Sequence, residues 1–425
     1  MSSVSAPFPY PARILVVEPA SSGGGTLITA AAAAGLRVVV ASADSGDRRL
    51  SDAVRGAAAS VLTVETNDQA ALEEAARAEH RAGPFDAVLA GSDIYVTATA
   101  RVAAALGLPG LPVETVDRVT DKAAMRAAVA AAGLRVPRFA QATTHAGLRE
   151  AADRVGFPCV MKPASCSGSI HVSRADDMEQ LTAAFERLVG DPTPDMGRLH
   201  EHRVLVEEYV EGPEFSADGF VREGAEGAET TVVALSRTLL GPEPDFVELG
   251  HLTPALVDGT AREAAEAYVR EVVRAVNLTG GTFHCELRLT PDGPVLIEIG
   301  ARLGGDRIVE LLRLVTGVDL PRVALATALG VDLEKAGAFT TPRSGGAGIR
   351  FFSAGERRSY RELHGWQELR ELPYVVETAL SFGPGEPIPD VQDCRSRLGH
   401  ALFTADSPQG ALDRWGELGA LVTLD

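Results

Sequence analysis

From Cys285 to Gly305 the sequence reads CELRLTPDGPVLIEIGARLGG, and this stretch decides the fold. Apolar residues alternate on both sides of a Pro-Asp-Gly turn, which predicts a β-hairpin. If its strands pair in register, Glu286 and Glu298 point at one cavity, and Arg302 follows directly after them. Magnesium takes one or two carboxylates and leaves its other positions to water and phosphates, so this pattern predicts a metal site for phosphate chemistry. A solvated hairpin whose acids face water is the alternative for this segment taken alone.

The composition is typical of an enzyme with several domains. A chain of 425 residues exceeds what one hydrophobic core normally serves, so about two to four domains are expected. The net charge of -18 argues against a nucleic acid or an anionic membrane as partner, because the summed field would repel both. The four cysteines show no CxxC pair, and neither a membrane-spanning run nor a secretion signal is visible. These features predict a cytoplasmic protein.

The first part of the chain predicts a doubly wound α/β domain with a parallel sheet. Its strand candidates lie at 13–18, 38–41, 60–64 and 87–90, with helices at 26–34 and 69–79. The segment Ser21-Ser22-Gly23-Gly24-Gly25 lacks the GxGxxG spacing of a dinucleotide site, and we expect it to be a tight turn or a loop that faces the substrate.

Two lysines in the next part of the chain are candidates for binding an anion. Asp121 is expected to cap a helix over 121–132, which places Lys122 in the first turn, where the helix dipole disfavours a lysine unless an anion is near. Lys162 lies on a strand among apolar residues, and the small-residue loop ASCSGS at 164–169 follows it. Backbone amides and hydroxyls in such a loop can surround a phosphate, although most loops of this composition bind nothing.

Two further segments carry acidic residues. Residues 204–220 predict a strand, a short connection and a second strand, whose acids can accept hydrogen bonds from amino or hydroxyl groups. Further on, Glu248 and His251 flank Gly250, although a lone histidine is more often structural than catalytic.

The order of these features resembles the ATP-grasp superfamily of carboxylate-amine ligases over nearly the whole chain. The residues that carry the resemblance are Lys122, Lys162, Glu207-Glu208-Tyr209-Val210, Glu214, Glu286, Glu298 and Arg302. Within the superfamily the chain looks most like the L-amino acid ligases, which join unprotected amino acids into dipeptides. The segments that support this are FVELGHLTPA, EIGARLGGD, Gly346 to Phe352 and Ser396 to His400.

The resemblance implies an ATP site and a metal site. Lys122 and Lys162 would hold the phosphates, Glu207 and the backbone near Tyr209 the adenine, and Glu214 the ribose. The full implied ATP site comprises Lys122, Lys162, Ser167, Gly168, Ser169, Glu207, Glu208, Tyr209, Val210 and Glu214. Glu286 and Glu298 would bind Mg²⁺, with Mn²⁺ as the alternative ion.

The resemblance also implies catalytic and substrate-binding residues. Arg302 would stabilise the transferred phosphoryl group and the oxyanion of the acyl intermediate, a task that suits a planar and permanently charged group. Glu248 would bind the ammonium of the first amino acid, and His251 would lie near the reacting carboxyl group. Gly304 and Gly305 would face the substrate.

The expected fold class is a multidomain α/β and α+β protein with the ATP-grasp fold. Its N-terminal α/β domain would cover 1–115, and its ATP-grasp core 116–330. The core would divide into a small subdomain at about 135–205 and a larger metal-binding half at about 206–330. Residues 331–425 would form a C-terminal α+β domain on the lid side.

The function that the resemblance implies is amide-bond formation through an acyl phosphate, with release of ADP and phosphate. The partners would be a small-molecule acid and amine, most simply two amino acids, and the family suggests a homodimer. Two alternatives stay open: a ligase of the same class that activates a non-proteinogenic acid, and a non-catalytic ATP-binding protein.

Three positions depart from the family pattern. Gly300 stands where an asparagine often contributes its amide oxygen to the metal, so we expect weaker or differently shaped metal binding. His171 stands where the phosphate loop often has glycine, and it either contacts a phosphate or is a tolerated exposed residue. Cys166 in the same loop either fills space or is oxidisable if exposed.

Overall fold

The computed structural model describes Phe8 and residues 10–19, 22–166, 168–224, 227–355, 357–389 and 393–425. Ser167, one of the residues predicted to bind ATP, lies outside these ranges, as does Ser21. No helix in the described ranges is long and apolar enough to cross a membrane.

The N-terminal part is the predicted parallel sheet with helices packed on it. Its elements are β1 (Arg13–Val17), α1 (Ser22–Ala33), β2 (Arg37–Ser42), α2 (Asp52–Ala57), β3 (Ser60–Thr63), α3 (Gln69–Ala82), β4 (Ala87–Ala90) and α4 (Val96–Leu106). The strand order β3-β2-β1-β4, with every pair parallel, confirms the doubly wound arrangement. In such a sheet the carboxyl ends of the strands lie along one edge, where ligands bind.

The sequence analysis expected the glycine-rich segment to be a tight turn or a loop that faces the substrate. In the structure its glycines lie in a helix. Helix α1 already begins at Ser22, so the three glycines form its first turn. A Cβ atom at Gly24 would lie 2.4 Å from the carbonyl oxygen of Gly91 and 2.7 Å from the Cα of Pro19. Glycine is therefore needed at position 24, because this turn packs directly against the backbone that follows β1 and β4.

The central part contains helix α5 and a four-stranded antiparallel sheet. Its elements are α5 (Lys122–Ala131), β5 (Phe139–Ala142), α6 (His145–Val155), β6 (Cys159–Pro163), β7 (Ser173–Ala175), α7 (Met178–Gly190) and β8 (Val204–Glu208). The sheet has the order β5-β8-β6-β7. The predicted cap is confirmed, since the side chain of Asp121 accepts a hydrogen bond from the Ala124 amide.

An eight-stranded antiparallel sheet forms the largest part of the molecule. Its first elements are β9 (Glu214–Gly224), β10 (Gly227–Leu240), β11 (Glu248–Thr253), α8 (Gly259–Ala275), β12 (Gly281–Thr290), β13 (Gly293–Gly300), α9 (Ile308–Thr316) and α10 (Leu320–Ala328). Apolar residues of α8 pack onto β9, β12 and β13 and bury the side of the sheet behind the hairpin. Helix α10 packs against α1, which joins this part to the N-terminal sheet.

The C-terminal segment continues the same sheet. Its elements are β14 (Gly346–Ser353), β15 (Leu363–His364), α11 (Trp366–Glu371), β16 (Val375–Leu380), β17 (Arg397–Ala405), α12 (Pro408–Leu421) and β18 (Thr423–Leu424). The sheet order is β13-β12-β9-β10-β11-β14-β17-β16, and β14 pairs directly with β11. Residues near the start of β17 are thereby brought close to Glu248 and His251 on β11. The domain boundaries remain predictions from the sequence.

Candidate active site between the two sheets

The β12–β13 hairpin places its two glutamates directly opposite each other. Glu286 pairs with Glu298 in the strand register, and the register shifts immediately after Glu286. The predicted in-register hairpin is therefore confirmed. Both side chains are partly exposed to a cleft, at 24% and 30%. Two carboxylates on neighbouring strands with access to solvent form a donor set that suits a hard divalent cation.

A buried histidine supports the first of these glutamates. The ring of His284 lies between Asp218, at 2.9 Å from Nδ1, and Glu286, at 3.3 Å from Nε2. Burial by itself would lower the pKa of His284, but the charge and hydrogen bond of Asp218 outweigh it and raise the pKa to about 10. Burial likewise opposes ionisation of Glu286, yet His284, Arg302 and Lys122 lower its pKa. Glu286 is thus held as a carboxylate in a fixed orientation.

Lys122 reaches the cleft from the first turn of α5, as the sequence analysis proposed. Its Nζ donates to the carbonyl oxygen of Cys166 at 2.6 Å and lies 3.1 Å from Oε2 of Glu298. Although burial lowers the pKa of Lys122, the charge of Glu298 raises it, and the net shift is upward. The lysine therefore keeps its charge and links the small-residue loop to the hairpin.

Lys162 is engaged with a carboxylate that was predicted to bind adenine. Its Nζ lies 2.5 Å from Oε2 of Glu207, whose Oε1 lies 2.9 Å from Nε of Arg126. The Arg126 side chain is fully buried and also donates to the carbonyl oxygen of Ile297. Burial lowers the pKa of Lys162, with the cations Arg126 and Lys122 adding to the effect against the opposing charge of Glu207. Sequence reasoning missed Arg126, because an arginine within an amphipathic helix gives no signal of its own.

The corner predicted to bind ribose and adenine is organised by Arg288. Its Nε donates to Glu214 at 3.0 Å and its Nη1 to the carbonyl oxygen of Val210 at 2.7 Å. Burial raises the pKa of Glu214 despite this neighbour. The side chain of Tyr209 donates to Glu243 at 2.5 Å and stacks under Arg174. Its ring also lies beside Arg288 and Phe246, which line the cleft, so Tyr209 borders the cleft.

One cleft collects most of the predicted site residues. The predicted residues that line it are Lys122, Lys162, Gly168, Ser169, Glu207, Glu208, Val210, Glu214, Glu248, Glu286, Glu298 and Arg302. They come from the four-stranded sheet, the small-residue loop and the eight-stranded sheet with its hairpin. The cleft therefore lies between the four-stranded and the eight-stranded sheet.

A second, polar cavity of about 260 Å³ adjoins this cleft. Its lining includes Ser92, Asp93, Glu248, His251, His284, Gly305, Asp306 and Cys394. Gly168, Glu248, Glu286 and Arg302 line both spaces. Gly304 lines neither of them but lies against Asp218, because a Cβ there would approach Oδ1 of that residue to 2.7 Å. The cleft and the polar cavity therefore meet at Arg302.

An arginine from the C-terminal segment forms ion pairs with two carboxylates of the polar cavity. Arg397 donates to Glu248 at 3.1 Å and to Asp306 at 2.7 Å, and its guanidinium stacks on Phe351. His251 lies 3.4 Å from the same Asp306 oxygen. Burial raises the pKa of Glu248 to about 7, with Asp306 and Glu286 adding to the effect against His251 and Arg397. The segment that contains Arg397 had been noted for its family resemblance, but its place in the site had not been foreseen.

Asp93 of the N-terminal part is a second unforeseen member of the site. It forms an ion pair with Nη2 of Arg302, whose Nη1 donates to the Leu303 carbonyl oxygen. A Cβ atom at Gly300 would lie 2.7 Å from Oδ1 of Asp93, so glycine at this position makes room for the carboxylate. The signal was available, since Asp93 follows the carboxyl end of β4, where open α/β sheets bind their ligands.

The small-residue loop adopts an unusual backbone. Gly168, Ser169 and His171 all have positive φ angles, of 67°, 59° and 55°. His171 is neither exposed nor at the cleft, and its Nε2 lies 2.9 Å from Asp191. Burial raises the pKa of Cys166 to about 11, so this cysteine is a thiol at neutral pH and filling of space describes it better than ready oxidation. All four cysteines are free.

Comparison with known proteins identifies three domains. Residues 28–110 match the ATP-grasp N-terminal domain, 155–310 the ATP-grasp domain, and 350–424 the L-amino acid ligase C-terminal domain 2. The chain is therefore an ATP-grasp protein. Its C-terminal part is similar to a C-terminal domain of the L-amino acid ligases.

Individual relatives agree with this assignment. The chain is 29% identical to an uncharacterized protein of Sinorhizobium fredii, over 86% of this chain and 74% of that one. It is 27% identical to the alanine–anticapsin ligase of Bacillus subtilis, over 57% of this chain but only 54% of the relative. It is also 22% identical to the L-arginine-specific L-amino acid ligase of Bacillus subtilis, over 77% of each chain. The chain thus spans about half to three quarters of the length of these relatives.

The solved structure of an L-amino acid ligase from Bacillus licheniformis has the same fold. It superposes with a TM-score of 0.81 over 97% of this chain and 98% of that chain, at 22% sequence identity. The predicted ATP-grasp fold is therefore confirmed over nearly the whole length.

Proposed function

We propose that this protein joins the carboxylate of one amino acid to the amine of another, with ATP converted to ADP and phosphate. The observation that carries the proposal is the meeting of the cleft and the polar cavity at Arg302. A ligase of this class needs a phosphoryl donor on one side of a cation and an acceptor carboxylate on the other. The two relatives named as ligases of alanine with anticapsin and of L-arginine support amino acids as the substrates.

The hairpin carboxylates fit the metal ion that ATP-grasp proteins use. Glu286 is ionised and held by His284, and Glu298 is paired with Lys122, whose ammonium group could instead pair with a phosphate. These two residues would hold Mg²⁺, with Mn²⁺ as an alternative, and the ion supplies neutralisation of the ATP phosphates. The oxygen that asparagine gives in other family members is missing at Gly300, and water can take that position.

The cations of the cleft are arranged for the nucleotide phosphates. Lys122 and Lys162 both reach the cleft, and each is paired with one glutamate. An incoming triphosphate offers each lysine a stronger anionic partner than one glutamate. Arg288 orients Glu214 and the Val210 carbonyl, which we assign to the ribose and adenine end.

Arg302 is assigned to the reacting groups. Asp93 and the Leu303 carbonyl fix its guanidinium, so the arginine is oriented before the substrate arrives. A fixed cation stabilises charge that develops on the transferred phosphoryl group and on the acyl oxyanion, at little reorganisation cost.

Glu248 and His251 are assigned to the first amino acid. Glu248 lines the polar cavity with one oxygen paired to Arg397, and its second carboxylate oxygen can accept from an ammonium group. His251 is buried and lies beside the same cavity, near Asp306. The arrangement suits a zwitterion whose ammonium points at Glu248 and whose carboxylate points at Arg302.

The test is phosphate release from ATP and Mg²⁺ across all pairs of proteinogenic amino acids, with mass spectrometry of the products. Release that requires two amino acids and yields their summed mass minus water supports the proposal. Release only with added non-proteinogenic acids would replace it with the alternative ligase, for which the name of the alanine–anticapsin relative is a precedent. ATP binding without amine-dependent ADP formation under any condition would leave a non-catalytic nucleotide-binding protein. Homodimer formation and a cytoplasmic location remain predictions from the sequence.

A further inference from the structure

Three side chains with metal-binding atoms lie together beside the small-residue loop, outside the cleft. Nε2 of His171 is 2.9 Å from Oδ2 of Asp191, and Nε2 of His200 is 3.6 Å from the same oxygen. The ligand atoms of all three residues lie within 4.8 Å of one another. None of the three lines the cleft or the polar cavity.

The three residues come from three different segments of the central part. His171 lies in the loop between β6 and β7, Asp191 follows the last residue of α7, and His200 precedes β8. His171 adopts a φ of 55°, a backbone conformation that costs energy for a residue with a side chain. The chain therefore accepts local strain at the position that directs this imidazole at Asp191.

The second observation is a buried nitrogen without a partner. The side chain of His200 is only 2% exposed, and among the described residues its Nε2 has no hydrogen-bond partner. The distance of 3.6 Å to Asp191 is too long for a hydrogen bond. Its other nitrogen, Nδ1, lies 3.8 Å from the sulfur of Cys166. A buried polar atom of this kind is costly, and a bound ion is one of the few explanations for it.

A hydrogen-bonded hub is the simpler explanation of the same cluster, but it leaves this nitrogen unexplained. Asp191 accepts from His171 and from the Thr193 amide, and Arg395 of the C-terminal segment lies 3.5 Å from Oδ2 of Asp191. The hydrogen bonds of Arg395 go to Asp393, however, and not to Asp191. The hub thus accounts for Asp191 and His171 and gives His200 Nε2 nothing to bind.

We propose that His171, Asp191 and His200 form a site for a divalent transition-metal ion of the Zn²⁺ type. In a tetrahedral zinc site with bonds of about 2.0–2.1 Å, ligand atoms lie about 3.3 Å apart. The separations of 2.9 and 3.6 Å lie on either side of that value. Two imidazoles and one carboxylate are a ligand set for Zn²⁺ and its neighbours, whereas Mg²⁺ prefers oxygen ligands alone. A water molecule would be the fourth ligand.

The neighbouring residues fit this role. With Nε2 on the metal, Nδ1–H of His200 donates toward Cys166, the kind of supporting contact that orients a metal-bound histidine. The ion would tie the end of the phosphate loop to the end of α7. The guanidinium of Arg395 lies close to Asp191, and its charge would weaken metal binding.

The experiment measures metal binding by the whole protein without any nucleotide. The protein is dialysed against a chelator and titrated with Co²⁺, whose visible absorption distinguishes a four-coordinate site with nitrogen ligands from six-coordinate binding to carboxylates. Zn²⁺ then competes for the same site, and the metal content of the protein as purified is measured by mass spectrometry. We expect one Co²⁺ with strong visible absorption, which Zn²⁺ displaces.

Matched variants decide the assignment. His171→Ala and His200→Ala should each weaken Co²⁺ binding by roughly 100-fold, whereas His202→Ala, which alters an exposed histidine two residues away, should leave it unchanged. Arg395→Gln should tighten binding, because it removes the opposing cation. Circular dichroism and retained binding of MgADP show that each variant is folded. A protein without a strong Co²⁺ band, or a band that survives both histidine substitutions, overturns the proposal and leaves the hydrogen-bonded hub.

Discussion

The cleft and the polar cavity beside it differ in the origin of their residues. Glu286 and Glu298 of the cleft lie on one hairpin, Lys122 begins helix α5 and Lys162 lies near the end of strand β6. The polar cavity instead joins Asp93 from the N-terminal part, Glu248 from the eight-stranded sheet and Cys394 from the C-terminal segment. Local patterns thus place these residues of the cleft on their elements, whereas the cavity exists only when three distant parts of the chain pack together.

The two regions also differ in how their charges are balanced. In the cleft Glu298 and Glu207 are each paired with a lysine that can exchange partners when a nucleotide arrives. In the cavity a single buried arginine, Arg397, holds two carboxylates at once. We infer that the cleft is arranged for an anion that the protein releases after each turnover, and the cavity for a substrate whose fit depends on a fixed frame.

The largest expected effect is at Arg302, one of the residues that line both regions. Arg302→Ala should lower the rate of ligation by roughly 1000-fold while ATP binding stays largely intact, because the guanidinium acts on charge that develops in the reaction. Amine-dependent ADP formation measures the rate, and calorimetry with MgATP measures the binding. Arg302→Lys is the matched control and should recover only part of the activity, since lysine lacks the planar pair of donors. An active alanine variant would refute the assigned role.

A smaller loss is expected when the partner of that arginine is changed. Asp93→Asn should lower kcat by roughly 10- to 100-fold with little change in ATP affinity, because the guanidinium loses the charge that orients it. Gly300→Ala should have a similar effect, since the added Cβ would approach Asp93 to 2.7 Å. If the two substitutions act through the same contact, the double variant is no worse than either alone. Additive losses would show that Gly300 has a separate role, such as shaping the metal site.

The cavity itself should respond in substrate affinity and not in nucleotide affinity. Arg397→Gln should raise KM for the amino acid by roughly tenfold, because Glu248 and Asp306 are then left as neighbouring buried carboxylates without their cation. Steady-state kinetics with a fixed amino acid pair measures KM, and nucleotide titration measures ATP binding. A variant that loses ATP binding as strongly as amino acid affinity would indicate that Arg397 serves the whole fold.

The pKa of Glu248 predicts a pH dependence of the same cavity. Since burial raises this pKa to about 7, the carboxylate that would accept an ammonium becomes protonated as the pH falls through 7. KM for the amino acid should therefore rise by a few-fold to roughly tenfold between pH 8 and pH 6. Glu248→Gln should bind the amino acid more weakly at pH 8 and lose this dependence. A wild-type profile that is flat in this range would place the ammonium elsewhere.

Protonation of Glu248 has the opposite effect on folding stability: it weakens binding of the amino acid at low pH but stabilises the folded protein there. Its pKa is raised from the ordinary 4.5 to about 7 on folding, so the folded protein holds this proton more tightly than the unfolded chain does. The contribution is fully present below pH 4.5 and is lost as the pH rises through 7. In Glu248→Gln the Tm should fall less between pH 5 and pH 8 than in the wild type.

The smallest effect is expected at Tyr209, whose hydroxyl group contacts Glu243 beside the cleft. Tyr209→Phe removes only the hydroxyl group that donates to Glu243, and it keeps the ring under Arg174. ATP affinity should change by less than about twofold, because surface substitutions of this kind cost little. A large loss of ATP binding would mean that the side chain turns into the cleft when the nucleotide binds.

The placement of a residue on a single helix or strand was predictable, because it depends on the pattern of nearby residues in the sequence. The hairpin alternation placed Glu286 opposite Glu298, and the Asp121 cap placed Lys122 in the first turn of its helix. The glycine-rich segment was predicted to be a turn or a loop, because glycine generally disfavours helices. Glycine is needed at position 24 because the helix approaches the backbone of Gly91, and the sequence does not show this contact.

The sequence by itself determined the parallel N-terminal sheet, the hairpin with Glu286 opposite Glu298, the two lysines and the ATP-grasp assignment. Only the tertiary structure decided that Asp93 orients Arg302, that Arg126 and Arg288 organise the cleft wall, and that Arg397 joins Glu248 to Asp306. The physical reason is the range of the interactions. Strand alternation and helix caps act between residues a few positions apart, whereas an ion pair depends on the distance between side chains, which the packing of remote elements sets.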